Sequence, residues 1–207
     1  VGGGRENRVA GGDVHLVFGG LYFAQLQAVA STTRSPDGPQ SGSLWEAVVD
    51  RTGRTFGFHY NLLGVAPDFR ADNGFVFRTG VVQPSVINRW TAFGPPGGWF
   101  ERFNVYLMAT GTWRYDDFFA GRSVLEQHLT ANSSFNLRGG WSVSLSPTVA
   151  DYAFDSAAYG GVRTTAANGT LQPLVPKGRL GTVVTNLNVA TPQFQRFAAS
   201  AGVTTGN

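Results

Sequence analysis

From Phe103 to Tyr115 the chain alternates strictly. Phe103, Val105, Leu107, Ala109, Gly111, Trp113 and Tyr115 are apolar, small or aromatic; Asn104, Tyr106, Met108, Thr110, Thr112 and Arg114 between them are mostly polar or amphipathic. Period two marks a strand with two unlike faces. Strands of soluble domains usually run to about five or six residues, whereas a tilted strand that crosses a bilayer needs ~9–11. This stretch exceeds that length and ends in aromatic residues, as a membrane-interface girdle does.

The same pattern recurs along the chain. It predicts strands over Val9–Phe18, Leu21–Ser31, Leu44–Arg51, Thr55–Gly64, Phe75–Gln83 and Val86–Phe93, the last two parted by Pro84. After the Phe103–Tyr115 strand it predicts Ser123–Phe135, Trp141–Phe154, Leu180–Val189 and Phe194–Thr205. Turn chemistry separates them: Gly19-Gly20, Gly53, Gly94-Pro95-Pro96-Gly97-Gly98, Asp116–Arg122 and Arg138-Gly139-Gly140. Thr32–Ser43 reads as a polar loop, Ala66–Gly74 as a structured turn, and Asp155–Arg179 as a long rim connection. No segment sustains a helical period. The expectation is an all-β, antiparallel up-and-down transmembrane β-barrel of roughly ten to twelve strands, since closure is what removes the edges of so long a meander. Short and long connections alternate up to Phe93 and then lose parity: either a strand is miscounted near Asp116–Arg122, or the family does not follow the rule neatly.

Composition sharpens this picture. Of 207 residues only 14% are charged, against roughly 25% in soluble domains, while 28 glycines and 13% aromatics suit strands and turns. A soluble monomer covers its exterior with charge, so part of this exterior is expected to lie out of water; a neutral secreted β-sandwich has a similar composition. The absence of cysteine excludes disulfides and thiolate metal sites. The net charge of +3 comes from singly scattered arginines rather than a basic cluster, which argues against nucleic acid as a partner. The chain opens at Val1-Gly2-Gly3-Gly4 without an initiator Met and stops within its last predicted strand. It therefore reads as one β-barrel domain over 1–207, truncated at both ends.

Candidate chemistry is sparse. His15, His59 and His128 fall on three separate strands without metal-ligand spacing. No nucleophile elbow or phosphate-binding loop is present, and no cofactor or metal is expected. Asp116-Asp117 and the pair Asp68 and Asp72 are more readily turn formers than glycosidase carboxylates. Trp45, Trp90, Trp99, Trp113 and Trp141 offer sugar-stacking surfaces, but Trp113 and Trp141 stand at strand ends, where a girdle is the better reading.

The segment Tyr60–Arg78, YNLLGVAPDFRADNGFVFR, resembles a bacterial outer-membrane barrel domain, domain of unknown function 5916, which follows a family-nine-like carbohydrate-binding module. The matching positions are Asp68, Phe69, Asp72, Gly74, Phe75, Val76 and Arg78. The resemblance implies an outer-membrane location, lipid as a partner and no established reaction; sugar binding, which belongs to the accompanying module, is not implied. A structural role for the motif is expected: Gly74 in a positive-φ turn, Phe69 packed beneath it, and Arg78 paired with Asp68 or Asp72. The function expected is a non-enzymatic barrel that binds or passes a solute such as a glycan fragment. Two other readings stay open: a soluble secreted β-sandwich or solenoid that binds carbohydrate, and a hydrolase whose catalytic residues lie partly outside this stretch, which loss of activity on Asp68→Asn or Asp116→Asn would favour.

Overall fold

Long alternating stretches become long strands because one pleated face accepts apolar side chains and the other polar ones. The computed structural model describes residues 6–36, 38–153, 161–174 and 178–207; Val1–Arg5, Asp37 and Phe154, which the sequence reading touched, lie outside them. The chain runs β1 (Glu6–Phe18), β2 (Tyr22–Ser35), β3 (Gly38–Thr52), β4 (Phe56–Val65), β5 (Val81–Phe93), β6 (Phe100–Arg114), the five-residue helix α1 (Tyr115–Phe119), β7 (Glu126–Leu137) and β8 (Ser142–Ala153). A small hairpin of β9 (Arg163–Thr165) and β10 (Leu171–Pro173) precedes β11 (Arg179–Ala190) and β12 (Ser200–Gly206). The main sheet has 10 strands in the order β1-β2-β3-β4-β5-β6-β7-β8-β11-β12, every neighbouring pair antiparallel. Among the described residues β1 pairs only with β2 and β12 only with β11, so this sheet is open.

The strands differ from expectation where proline and polar residues misled. Thr32–Ser43 is not a loop. β2 and β3 continue through it, with Thr33 opposite Gln40 on the polar side and Thr32 opposite Ser41 on the other side beyond its apolar rows. Pro84 does not divide two strands either. It sits inside β5 opposite Leu62, and the β5–β6 ladder omits Gln83 and Pro84 before resuming at Ser85 and Thr110 in unchanged register. Phe75–Gly80 is loop, and the strand starts only at Val81. Likewise β12 begins at Ser200 rather than Phe194.

Merging the two strands about Pro84 restores the parity of the connections; the fault lies there and not at Asp116–Arg122. At one end of the sheet the connections are short: 19–21, 53–55, 94–99, 138–141 and 191–199. At the other they are 36–37, 66–80, 115–125 and 154–178.

Paired residues share a face, so the register sorts the sheet into two sides. One carries Leu16, Leu26, Val49, Tyr60, Val86, Leu107, Leu129, Leu145, Leu187 and Val203 in adjacent rows. These side chains are bare: Leu26 is 63% exposed, Leu16 56% and Val203 61%. The other side carries Gln25, Glu46, His59, Asn61, Asn104, Thr130, Ser144 and Asn186. Among the described residues no second layer covers the apolar side. The chain exposes 13492 Å², whereas a soluble monomer of 22.1 kDa exposes about 9,300 Å².

Candidate functional site

The Tyr60–Arg78 motif begins in β4, and its 66–78 part lies on the polar side, at the end with the long connections. β4 ends at Val65, and the Ala66 N–H donates to the Ser43 carbonyl at 2.8 Å, turning the chain inward. Phe69, 3% exposed, passes over Gly42, where a Cβ would collide with the Phe69 backbone nitrogen. Only glycine permits that approach. The Arg70 N–H then donates to Ser31 Oγ at 3.0 Å, and the Asp72 N–H to Asn7 Oδ1 at 3.2 Å. Asn7 Nδ2 in turn donates to the Arg70 carbonyl at 3.2 Å and to Thr33 Oγ1 at 2.8 Å. Ser31 and Thr33, at 2% and 3% exposure, are polar groups buried beneath this segment with partners supplied. The loop thus crosses β3, β2 and β1 before returning to β5.

On the return, Gly74 N–H donates to the Ala71 carbonyl at 2.9 Å, and Phe75 and Phe77 project into solvent, 87% and 88% exposed. Arg78 Nη1 donates to Glu126 Oε1 at 2.7 Å, bridging to the start of β7. Gly80 (φ 72°) makes the turn into β5.

Several motif roles therefore change. Phe69 is buried as expected, but over Gly42 rather than beneath Gly74. The left-handed glycine of the loop is Gly80, since Gly74 keeps an ordinary φ. Arg78 pairs with Glu126, not with Asp68 or Asp72, because the loop carries it two strands beyond β5. Phe75 belongs to an exposed loop, and Asp68 is also exposed. Asn7, Gly42, Ser31, Thr33 and Glu126 escaped the sequence reading; the local signal for Glu126 was a carboxylate on the polar side of a strand start.

The rest of the polar side is a mesh of cross-strand bonds: Asn61 Nδ2 to Glu46 Oε1 at 2.6 Å, Thr91 Oγ1 to Asn104 Oδ1 at 2.9 Å, and Gln83 Nε2 to Thr112 Oγ1 at 3.2 Å. All three histidines face this side. His15 sits 3.2 Å from Asp13, His59 3.3 Å from Asp50, and His128 packs edge-on against Tyr152. Among the described residues no three His, Asp or Glu side chains are grouped to hold a metal ion. A cavity of about 100 Å³ near Asp50, His59, Arg89 and Tyr106 carries both charges on its lining. Asp117 of α1 is bound by Arg122 at 3.1 Å.

Aromatic residues gather at both ends of the apolar side. At the long-connection end Trp45 lies flat across Gly64 and donates to the Tyr115 hydroxyl at 3.0 Å, with Phe119 beside it. Trp113 lies across Gly111 in the same way and meets Phe118 edge-on. At the short-turn end Phe18 stacks on Tyr22, Phe56 contacts Trp90, and Phe103 stacks on Phe135. Gly64→Val would lift the Trp45 indole and break its bond to Tyr115. The expected cost is about 1–3 kcal/mol, read as a lower midpoint of chemical unfolding.

Fold and site together define an all-β protein built on one antiparallel sheet, bare and apolar on one side, polar and crossed by a docked connection on the other. No family model, curated protein or solved structure matches the chain.

Proposed function

We propose that the chain is part of a bacterial outer-membrane β-barrel that binds or passes a polar solute, glycan fragments included, without catalysing a reaction. The observation that carries this is the uncovered apolar side. Between Phe103 and Trp113, and on the paired rows of the other nine strands, its only charged side chains are Arg51, which donates to the Tyr22 hydroxyl, and Asp151, which is paired with Arg179. Ten residues at ~3.4 Å, tilted by ~40°, give an apolar band about 26 Å tall. That matches the ~25 Å of hydrocarbon an outer-membrane barrel faces, and the two aromatic clusters fall where interfacial girdles belong. In water the same side would be an aggregation surface ten strands wide.

Closure follows from the same medium. Hydrocarbon leaves unpaired backbone groups unsatisfied at several kcal/mol each, so the edges β1 and β12 require strand partners there. The alternation of connections supports an orientation with the short turns inside and the 66–80, 115–125 and 154–178 connections outside. The likeness of Tyr60–Arg78 to the outer-membrane barrel domain is in keeping with this reading. No helix among the described residues is long and apolar enough to cross a membrane, which has no bearing on strands.

The full-length protein is expected to need detergent for solubility and to shift its gel mobility on boiling. A protein that stays monomeric in buffer without detergent, with no heat-dependent mobility, overturns the proposal in favour of a soluble sandwich.

A further inference from the structure

The 66–80 connection is far more firmly held than an external loop requires. Resting on the barrel reading above, we infer that it is the constriction of the passage and sets the size of solute admitted. Gly42, Ser31 and Asn7 latch it, and the Arg78–Glu126 ion pair braces it.

Three observations carry this. The segment lies on the polar side, which is the lumen wall of a closed barrel. It is fixed at both limbs: Phe69 is buried over Gly42, the Asn7 side chain makes three bonds at the β1 end, and Arg78 reaches Glu126 on β7. Its position also spans the sheet from β1 to β7, so it crosses the opening rather than hugging one strand.

Dimensions decide what such a segment does. With β1 paired to β12, ten strands at ~4.8 Å spacing and ~40° tilt close into a circle about 20 Å across. A layer packed on a sheet sits ~10 Å from it. Chain laid on one wall therefore reaches the axis and leaves only part of the cross-section open. A connection projecting outward would leave the full width. Phe75 and Phe77, bare at the turn of the segment, would be the surface met by an entering solute.

The test uses the full-length protein in phospholipid vesicles, with osmotic swelling in a monosaccharide and in a trisaccharide, and heat-modifiable mobility to verify folding. Gly42→Val puts a side chain where the Phe69 backbone lies and should dislodge the segment. Arg78→Ala combined with Glu126→Ala removes the brace without adding bulk. Both are expected to speed trisaccharide entry severalfold while monosaccharide entry changes little. A second readout is independent of transport: a Ser31→Cys thiol should react slowly with a maleimide and much faster when Gly42→Val is added. Rapid reaction of Ser31→Cys by itself would show that the segment does not dock, and would overturn the inference. So would faster thiol reaction on adding Gly42→Val with trisaccharide entry unchanged. If the unaltered protein admits neither sugar, the passage reading itself falls and the inference with it.

Discussion

Leu107→Arg is expected to destabilise the protein in a lipid bilayer by about 2–4 kcal/mol, the cost of a cationic side chain at the midplane of a barrel's outer surface. Leu107 stands midway between Phe103 and Trp113 on the bare side of β6, 37% exposed, with Asn88 and Ala131 paired beside it. Met108, one residue on, points to the polar side with Ile87 and Thr130 as neighbours. Met108→Arg adds the same charge and nearly the same bulk, and its expected cost is well under half as large, because lumen water solvates the guanidinium. Chemical unfolding of both variants in phospholipid vesicles measures the difference. Two adjacent positions with opposite tolerance isolate the medium from the residue. In a water-soluble sheet an exposed Leu→Arg change lies within about ±0.5 kcal/mol. Equal and small effects at the two positions would therefore remove the membrane face. Leu187→Arg on β11 should repeat the Leu107 result, since its row is continuous with that side.

The two faces were legible in the sequence because period two is a local property: knowing that Leu107 and Met108 alternate fixes their opposite directions before any partner strand is known. The antiparallel next-neighbour order was legible for a related reason, since short Gly-rich turns leave consecutive strands little choice but to pair. What failed were residues judged by type rather than by side. Thr32, Thr33, Gln40 and Ser41 look like loop, yet they extend β2 and β3: Thr33 and Gln40 face the polar side, where nothing demands an apolar residue, and Thr32 and Ser41 lie on the other side beyond Trp45, past the apolar rows. Pro84 looks like a break, yet one lost rung of a ladder is tolerable when the Leu62 side of the strand stays paired.

The candidate site was half legible. The Phe69–Arg78 motif announced a shaped connection, and burial of Phe69 followed. Its partners did not, because they are set by where a loop lands rather than by neighbouring sequence. Asn7 meets Arg70 from 63 positions away and Glu126 meets Arg78 from 48. Gly42 is informative only once Phe69 is seen crossing it; on its own it is one glycine among 28.

The amide protons of Val14, His15, Leu16 and Val17 in β1 are all expected to exchange slowly in the full-length protein in detergent micelles. β1 has 13 residues and an observed partner on one side only, so in an open sheet roughly every second residue turns its N–H and C=O away from β2. An open edge predicts alternation: protected, unprotected, protected, unprotected. Closure pairs both sets and protects consecutive residues alike. A retained bond worth ~4 kcal/mol slows exchange by about a thousandfold, so the two patterns are far apart. Ala201–Thr205 of β12 should behave the same way, having β11 alone on one side. The reason to expect closure is the bare face itself. Leu16 and Val14 stand on the edge strand and are bare like Val86 and Leu107 at the centre of the sheet, so the hydrocarbon that covers them also bathes the β1 backbone. No stable structure leaves a row of amides there. Alternating protection along β1 would mean that water reaches this edge, and the apolar side beside it would then need a protein layer rather than lipid to cover it.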